Sequence, residues 1–371
     1  MYDVAIIGGG LSGLIQTILL NRAGLKVVLF EKKAYPFHRV CGEYISNEVI
    51  PFLEKEKLFP HELSPARVTQ FRLSSVNGKL LEMPLDLGAF GVSRYSLDHF
   101  WYLKALSEDA EIRIRTSVED VTFQDDHFNL TLSGGEQVKS RMAVGAFGKR
   151  SKLDKSLKRS FMERRSPYVG IKYHARTNHD ADVIALHNFP GGYCGISLVE
   201  KGISNICYLT ERTDLKKYRD VKEFEKHILH QNPHLRQILT QAEFLFEKPL
   251  VINEISFETK APVEQHILMT GDAAGMIAPL CGNGMAMAIH AGKISVDTIL
   301  EYYQQGDFPR SELENAYANR WKKLFAQRLW TGRNVQKLFG NKLISNMAVN
   351  TVRQVKPIAK AIMKQTHGEV F

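Results

Sequence analysis

The first thirty residues alternate between short apolar runs and a glycine-rich turn. An apolar run over residues 4–7 leads into the turn G-G-G-L-S-G at residues 8–13, and a helical pattern of apolar positions follows from Leu11. A second apolar run over residues 26–30 ends at Glu31. The pattern predicts a strand, a tight turn, a helix and a second strand, which together form one β-α-β unit.

The glycines of this unit follow the spacing G-x-G-x-x-G. In such a turn Gly8 permits the tight bend, Gly10 lets the backbone approach a pyrophosphate, and Gly13 lets the helix pack closely on its strand. The N–H groups at the helix start face the phosphates, and Glu31 can accept both hydroxyls of an adenosine ribose. The unit predicts a dinucleotide site, and the alternative is a glycine-rich turn without a ligand.

Later segments predict further strands and helices. Strand patterns occur in two blocks, at residues 111–145 and 168–210, with turn residues between them. A polar helix over about 221–239 is expected to break at Asn232-Pro233, and a capping box at Ser311 is expected to start a helix that runs to about Trp330.

A second glycine-rich region follows an apolar strand at residues 266–270. It contains Gly271-Asp272 and the turn Gly282-Asn283-Gly284, after which a helical stretch begins at Met285. Here the sequence resembles the FAD-dependent family of aromatic hydroxylases (p-hydroxybenzoate hydroxylase-like), flavin halogenases and geranylgeranyl reductases. The resemblance implies that Asp272 binds the ribityl chain of FAD and that the glycine turn faces the flavin ring.

Two other segments carry the same resemblance. The segment at residues 93–98 resembles the family segment in which an arginine contacts the cofactor, so Arg94 is expected to do so; the alternative is an arginine paired with a surface carboxylate. The segment at residues 40–43 is similar to the cysteine-glycine turn of the geranylgeranyl reductases, which lies close to the flavin. Cys41 is therefore expected either to tune the flavin or to fill a small space beside it.

The cofactor motifs are spread over most of the chain. The predicted cofactor-binding residues are Gly8, Gly10, Leu11, Ser12, Gly13, Glu31, Lys32, Arg39, Cys41, Gly42, Arg94, Gly148, Gly271, Asp272, Gly282, Asn283, Gly284 and Met285. The expected fold is α/β (α+β), with a Rossmann-like FAD-binding domain, an inserted β-sheet substrate domain and a C-terminal helical segment. The FAD-binding domain is expected to comprise residues 1–75, 95–155 and 262–310. The substrate domain is expected to comprise residues 76–94 and 156–261, and the basic C-terminal segment residues 311–371.

Two positions depart from the family pattern. Phe147 replaces the aspartate of the Gly-Ala-Asp-Gly turn that helps hydroxylases with NAD(P)H, which argues against hydroxylase-style use of NADPH. No second G-x-G-x-x-G is present, so NAD(P)H is expected at most as a transient electron donor. Tyr193 matches the Tyr-x-Trp motif of the reductases, but Gly195 occupies the position of the tryptophan.

These motifs predict an FAD-dependent oxidoreductase that acts on a hydrophobic small molecule. The main expectation is a monooxygenase that works through a flavin C4a-hydroperoxide. One alternative is a geranylgeranyl-reductase-like flavoprotein that reduces carbon-carbon double bonds of an isoprenoid or lipid, and another is a membrane-docked flavin electron carrier. The catalytic residues stay unassigned. Cys41, Tyr193 and His290 are candidates, with packing roles as the alternatives for Tyr193 and His290.

Composition and charge narrow the class of protein and its partners. With 44% apolar and 24% charged residues, the 371-residue chain is expected to form one or two packed globular domains. Ten basic residues and one acidic residue lie at 321–371, so the whole net charge of +9 belongs to that segment. Such local basicity argues against a nucleic-acid partner.

The C-terminal segment has basic residues at helical spacing. They are Arg353, Lys356, Lys360 and Lys364. This face is expected either to dock on the protein itself or to bind an anionic membrane surface. The chain has no signal-peptide pattern and only four cysteines, so a cytoplasmic or peripheral membrane location is expected. No metal site is predicted, because Asn232-Pro233 interrupts the register of the clustered histidines at 227, 230 and 234.

Overall fold

The computed structural model of the protein describes residues 1–163, 166–278, 282–305, 309–336, 346, 365 and 368–371. The four basic residues of the predicted C-terminal face lie outside these ranges. Within the described ranges the chain forms two β-sheets with helices packed against them. The predicted α/β class and the Rossmann-like β-α-β unit at the N-terminus are confirmed.

The first sheet contains the N-terminal β-α-β unit. Its eight strands in the described residues are β1 (Tyr2–Ile7), β2 (Val27–Glu31), β6 (Glu111–Ile114), β7 (Val118–Gln124), β8 (His127–Leu132), β9 (Gln137–Gly145), β16 (Val263–Glu264) and β17 (Ile267–Met269). β1 pairs in parallel with β2 on one side and β9 on the other. β17 extends the parallel set beyond β9, so the strand ends that carry the two glycine motifs lie at one edge of the sheet.

Helices cover the first sheet and bring its glycine motifs together. The α-helices of the described residues are α1 (Leu11–Arg22), α2 (Ile50–Lys55), α3 (Arg94–Leu106), α4 (Lys152–Ser156), α5 (Arg212–Leu215), α6 (Val221–His227), α7 (Pro233–Gln241), α8 (Gly284–Tyr303) and α9 (Arg310–Gln336). α1 packs against α3 and α8, and α8 packs against α9. The start of α1 lies beside the first half of α8, since a Cβ on Gly292 would lie 3.2 Å from Ser12.

The second sheet is inserted between parts of the first. Its strands are β3 (Tyr44–Ser46), β4 (Ala66–Ser74), β5 (Leu80–Gly91), β10 (Tyr168–Arg176), β11 (Val183–Phe189), β12 (Gly192–Leu198), β13 (Ser204–Glu211), β14 (Glu243–Phe244) and β15 (Leu250–Ile255). Its outer face packs on α6 and α7 through an apolar cluster that includes Phe224 and Leu235. The predicted domain boundaries stay a prediction. The prediction assigned residues 1–75 to the FAD-binding domain, whereas β4 within that range pairs in the second sheet.

The helical predictions hold with one correction. The predicted break at Asn232-Pro233 separates α6 from α7, and the Asn232 side chain accepts hydrogen bonds from the first N–H groups of α7. The predicted capping box at Ser311 is wrong. α9 begins one residue earlier, because the Pro309 carbonyl accepts the first helical hydrogen bond from Leu313 at 3.0 Å, and the helix continues to Gln336.

The described ranges contain neither a membrane-spanning helix nor a metal-binding cluster. No helix in them combines the length and apolar character needed to cross a bilayer. Within the same ranges, no group of three histidine, cysteine or acidic side chains is arranged to hold a metal ion. Of the clustered histidines, His234 donates through Nε2 to the Gly78 carbonyl at 2.9 Å.

Candidate FAD site

The glycine turn lies between the end of β1 and the start of α1. Gly8 has a φ of +110°, and a Cβ there would lie 2.5 Å from a backbone carbonyl oxygen of the segment after β9. A Cβ on Gly13 would lie 2.0 Å from the Gly8 carbonyl oxygen, so this glycine lets α1 pack against the turn. No side chain caps the helix at Gly10. The first N–H groups of α1, at Leu11 and Ser12, are therefore suited to phosphate oxygens.

The Glu31 carboxylate lies beside this turn at the end of β2. Its Oε2 accepts a hydrogen bond from the Gly9 N–H at 2.9 Å, and its Oε1 accepts one from the Lys33 N–H at 3.0 Å. The Tyr35 hydroxyl donates to the Gly9 carbonyl at 2.6 Å. The structure thus places Glu31 where a ribose next to the turn could reach it, whereas the predicted neighbour Lys32 is exposed to solvent.

Two arginines share one buried carboxylate near the same turn. Arg94, the first residue of α3, donates from Nε and Nη2 to Asp98 at 2.7 and 2.8 Å, and Arg39 donates from Nε to Asp98 at 3.0 Å. Burial favours the neutral form of Arg94, but the charge of Asp98 outweighs it, so the pKa of the guanidinium is raised. Because the Asp98 side chain is buried, the alternative of an exposed ion pair does not describe Arg94. A Cβ on Gly10 would lie 3.6 Å from Arg94 Nη2, which places this cation at the turn.

The segment that carries Cys41 and Gly42 lies between α3 and the second sheet. The side-chain amide of Asn205 donates to the carbonyl oxygens of Cys41 and Gly42 at 3.1 and 2.7 Å. Glu43 follows with a φ of +52°, and its buried carboxylate accepts the Arg94 N–H at 2.7 Å. Burial raises the pKa of the Cys41 thiol, so the thiol is protonated at neutral pH. This favours roles in packing or proton donation over nucleophilic attack.

The Asp272 turn follows β17 and is tied to the segment after β9. Gly271 has a φ of +57°. The Lys260 Nζ donates to the carbonyl oxygens of Lys149 and Asp272 at 2.7 and 2.8 Å, so one buried ammonium joins the two turns. Burial raises the pKa of the Asp272 carboxyl, although Lys260 and Lys149 oppose the rise. Sequence analysis missed Lys260 because it lies in an irregular segment without periodicity.

The segment after β9 contains the departure at Phe147. The side chain is half-buried and packs against the core of the first sheet. A Cβ on Gly145 would lie 2.9 Å from the Phe147 ring, so the two residues fit each other closely. Gly148 has a φ of +82°, as expected for a turn glycine. The turn keeps its glycines, while an apolar ring occupies the position of the family aspartate.

The third cofactor motif lies at the start of α8. Gly282 has a φ of +65°, and a Cβ there would lie 3.2 Å from the Tyr44 ring of the second sheet. Asn283 is the N-cap residue and donates from Nδ2 to the buried Glu48 carboxylate at 3.3 Å. Met285 is buried in the first turn. The backbone N–H groups at this helix start carry the positive end of the helix dipole.

The inner face of the second sheet is divided into an apolar half and a polar half. The apolar half is formed by Leu73, Leu81, Met83, Leu186, Tyr193, Leu209 and Ile255. These side chains cluster with Met276, which follows the Asp272 turn. The polar half is formed by Lys172, His174, Gly195, Ser197, Asn205 and Cys207. An apolar surface thus adjoins the segment expected to hold the flavin.

Tyr193 and Gly195 lie on neighbouring positions of this inner face. Tyr193 is buried in the apolar half, and its hydroxyl donates to Gln336 of α9 at 3.2 Å. The only atom near a Cβ built on Gly195 is the Cys207 carbonyl oxygen, at 3.6 Å, among the residues that the structure describes. A Cβ at this position would therefore meet no side chain among the described residues, and Tyr193 is positioned as part of an apolar wall.

His290 lies on the α8 surface that faces α9. Its ring stacks on Phe371 at a centroid distance of 3.7 Å and meets the edge of Phe325 at 5.5 Å. Burial lowers the pKa of His290 to about 3, and the charges of Arg328 and Lys293 act in the same direction. At neutral pH the ring is neutral and packed between helices, which fits the packing alternative better than proton transfer.

We expect His290 to make the protein less stable in acid. Its pKa is about 3 in the folded state, below the ordinary value of 6.5, so the unfolded chain binds the proton more readily. The free energy of unfolding should fall by about 1.4 kcal/mol per pH unit from this group as pH drops below about 6.5 and towards 3. Urea unfolding of the wild type and a His290→Gln variant at several pH values measures this. An unchanged pH slope in the variant would show that another group is responsible.

Comparison with known proteins identifies the family of this chain. A family model described as FAD binding domain matches residues 1–320. The chain belongs to this family. The digeranylgeranylglycerophospholipid reductase of Methanosarcina acetivorans is 27% identical over 341 residues, covering 87% of this chain and 81% of the relative. The digeranylgeranylglycerophospholipid reductase 2 of Methanopyrus kandleri is 24% identical, and the match covers 95% of this chain and 90% of the relative.

A solved structure supports the same fold. A geranylgeranyl bacteriochlorophyll reductase-like protein from Thermoplasma acidophilum has a TM-score of 0.78 and 18% identity, covering 98% of this chain and 96% of that one. The predicted membership and the prediction of an FAD-dependent oxidoreductase are therefore confirmed. The finer prediction of a monooxygenase stays a prediction.

The residues of this FAD-binding chain fit the cofactor. Donors and positive charge for a pyrophosphate come from the uncapped N-terminus of α1, from the largely buried Arg94 and from the partly exposed Arg39. The uncapped start of α8 would offer its N–H groups to the flavin ring. Bound FAD supplies the hydride or electron transfer. The residues described above would hold the cofactor. Glu43, Lys172 and His174 were not predicted as site residues. Lys172 and His174 lie at alternate positions of the otherwise apolar β10, and this alternation is a signal in the sequence that could have revealed them.

Proposed function

We propose that this flavoprotein reduces carbon-carbon double bonds in an isoprenoid or lipid chain. The observation that carries the proposal is the apolar half of the inner sheet face, which adjoins both Met276 after the Asp272 turn and the Gly195 position without a side chain. A long apolar chain is stabilised by such a surface, at about 25 cal/mol per Å² of apolar area removed from water. The relatives named as digeranylgeranylglycerophospholipid reductases, at 24–27% identity, support this over oxygen insertion.

The reduction adds a hydride to one alkene carbon and a proton to the other. Reduced flavin is the source of the hydride. For the proton, Cys41 is our candidate, because its thiol is protonated and its segment is held between α3 and the second sheet. Tyr193 contributes to the apolar wall, and His290 takes no part in the chemistry. NAD(P)H, or another donor, would reduce the flavin in a transient encounter.

Anaerobic reoxidation distinguishes this proposal from its rivals. The holoenzyme is photoreduced without oxygen and mixed with a digeranylgeranylglycerophospholipid in detergent micelles, or with its fully saturated analogue as a matched control. We expect the unsaturated lipid alone to restore the oxidised flavin spectrum, with a product two mass units heavier per turnover. A hydroxylated product formed only in air would support the monooxygenase. Flavin cycling without any organic product would support the electron carrier.

We also propose that the basic C-terminal segment binds an anionic membrane surface, which would bring the enzyme to a lipid substrate. Residues 321–371 of this segment hold the whole net charge of +9, and each basic residue near an anionic surface contributes about 1 kcal/mol. Flotation with vesicles of phosphatidylglycerol tests this. Changing Arg353, Lys356, Lys360 and Lys364 to Gln should abolish flotation with FAD content unchanged. Equal flotation of the variant, or binding to neutral vesicles, would contradict the proposal.

A further inference from the structure

The polar half of the inner sheet face contains a fully buried group of charges. The side chains of Glu43 and Lys172 are both 0% exposed and form an ion pair. His174 donates from Nε2 to the other carboxylate oxygen of Glu43 at 2.7 Å. Burial would raise the pKa of Glu43, but Lys172 and His174 outweigh it and lower the pKa, so the carboxylate is ionised.

The strand register explains why these side chains meet. In the antiparallel pair of β10 and β13, Lys172 is opposite Cys207 and His174 is opposite Asn205. Residues two apart on a strand, and residues opposite each other, share one face of the sheet. Lys172, His174 and Asn205 therefore approach the first sheet together, and we call these three residues with Glu43 the polar clamp.

The polar clamp holds the segment around Cys41 at several successive positions. Lys172 donates from Nζ to the Arg39 carbonyl at 3.1 Å. Asn205 donates to the carbonyls of Cys41 and Gly42, as described above, and Glu43 joins the clamp through its own carboxylate. The second sheet thus contacts this segment through several hydrogen bonds and an ion pair, in addition to the close approach of Val40 to Gly170 of β10.

Stability alone does not explain a buried charge cluster at this place. Replacing a buried ion pair by apolar residues of similar volume is often neutral or stabilising by about 1–4 kcal/mol. The sequence nevertheless keeps three ionisable side chains here, next to Arg94 and at the segment expected to border the flavin. Hydrogen bonds and ion pairs have directional geometry, so they fix a backbone segment more narrowly than apolar contact does.

We infer that the polar clamp holds the Cys41–Gly42 segment in place against the flavin and that its paired charges balance the electrostatic potential at the ring. Glu43, Lys172, His174 and Asn205 are positioning residues, since they act through the segment they hold. The inference depends on FAD binding, which family membership gives, and not on the reductase proposal. It is therefore testable whichever substrate the enzyme takes.

The charges of the clamp are tested by the reduction potential of the bound flavin. Glu43→Gln removes a negative charge and leaves Lys172 uncompensated, which should stabilise the more negative reduced flavin and shift the potential upwards. Lys172→Met should shift it downwards, and the double variant should return towards the wild-type value. Equilibration of the photoreduced holoenzyme with redox dyes measures all three. Shifts of the same sign in both single variants, or no shift in either, would overturn the electrostatic role.

The holding role is tested separately by hydrogen exchange of the peptide that covers residues 39–43. Asn205→Ala removes two hydrogen bonds without changing charge, so exchange in this peptide should become about tenfold faster while the potential stays unchanged. This variant also covers the case in which a charge variant fails to fold. Unchanged exchange in Asn205→Ala would overturn the holding role.

Glu43→Gln should also speed exchange in the 39–43 peptide, because it removes the carboxylate that joins Lys172 and His174. Glu200→Gln is its matched control in this exchange experiment. Glu200 is also a buried carboxylate, and it accepts the Ser93 N–H at 2.7 Å and the Ser96 hydroxyl at 2.6 Å at the start of α3. It makes no hydrogen bond to residues 39–43 within the described part of the chain. Exchange in the 39–43 peptide should stay at the wild-type rate in this control. A rise equal to that in Glu43→Gln would show that any lost carboxylate near α3 loosens the segment, which contradicts a specific clamp.

Discussion

A Gly10→Ala variant is expected to fold with the stability of the wild type and to be purified without FAD. The backbone at Gly10 has a φ of −89° and a ψ of −171°, which alanine adopts freely. The nearest atom to the added Cβ is Arg94 Nη2 at 3.6 Å, so the protein itself accommodates the methyl group. The methyl group would instead occupy the space in which a pyrophosphate approaches the first N–H groups of α1.

The size of this effect follows from the hydrogen bonds that are lost. A hydrogen bond to a charged group contributes about 1.5–3 kcal/mol, so loss of two to the phosphates weakens FAD binding by at least about hundredfold. FAD titration of the apoprotein, followed by quenching of flavin fluorescence, measures the affinity, and thermal unfolding of the same apoprotein measures the stability. Full flavin content after purification would show that Gly10 does not face the cofactor.

Gly13→Ala is the informative comparison for this experiment. Its Cβ would lie 2.0 Å from the Gly8 carbonyl oxygen, a backbone atom that cannot move without displacing the end of β1. We expect this variant to lose both FAD and apoprotein stability. The two glycines have the same motif status in the sequence, yet the structure separates a glycine required by the ligand from a glycine required by the fold. Equal stability losses in both variants would contradict that separation.

The cofactor motifs were predictable because their chemistry is local. The positive φ of Gly8, the close packing of Gly13 and the position of Glu31 at a strand end all follow from one β-α-β unit whose pattern is visible within thirty residues. The break between α6 and α7 was predictable for the same reason, since Asn232 caps α7 through its own side chain. In each case the sequence neighbours are also the spatial neighbours.

The residues that sequence analysis missed act across long separations in the chain. Lys172 meets Glu43 only because β10 and the segment before β3 are brought together by the second sheet. Lys260 meets the Lys149 carbonyl more than a hundred residues away. An isolated lysine in a sequence is usually a solvated side chain. Whether such a lysine is buried depends on the tertiary structure. The local sign in the sequence was that Lys172 and His174 occupy alternate positions of the apolar strand β10.

The role of Phe147 illustrates a limit of motif comparison. The sequence shows that an aspartate is missing from the expected turn, but it does not show what replaces its contacts. In the structure the Phe147 ring fills apolar space near Gly145, and the Lys260 ammonium joins the turn to the Asp272 carbonyl. The polar link at this place comes from a different part of the chain. A substitution at a motif position is therefore interpretable only together with its spatial neighbours.

Asp98→Ala is expected to be the most destabilising single substitution at the site that leaves the glycine motifs intact. The Asp98 side chain is 1% exposed and accepts hydrogen bonds from both Arg94 and Arg39. Its removal leaves the Arg94 guanidinium buried without its partner. Breaking a buried pair in this way costs about 3–5 kcal/mol, much more than loss of an exposed pair.

A double variant distinguishes the destabilisation caused by one unpaired buried charge from the net contribution of the ion pair to the free energy of unfolding. In Arg94→Met with Asp98→Leu, neither charge remains, so the loss of unfolding free energy should be well below that of Asp98→Ala alone. Urea unfolding of the apoproteins measures both, because FAD binding would otherwise add to the stability of whichever variant retains it. Arg39 is 29% exposed and also reaches Glu31 at 3.4 Å, so it keeps a partner in the double variant. If the double variant were as unstable as Asp98→Ala, packing at this position rather than the unpaired Arg94 charge would be the cause.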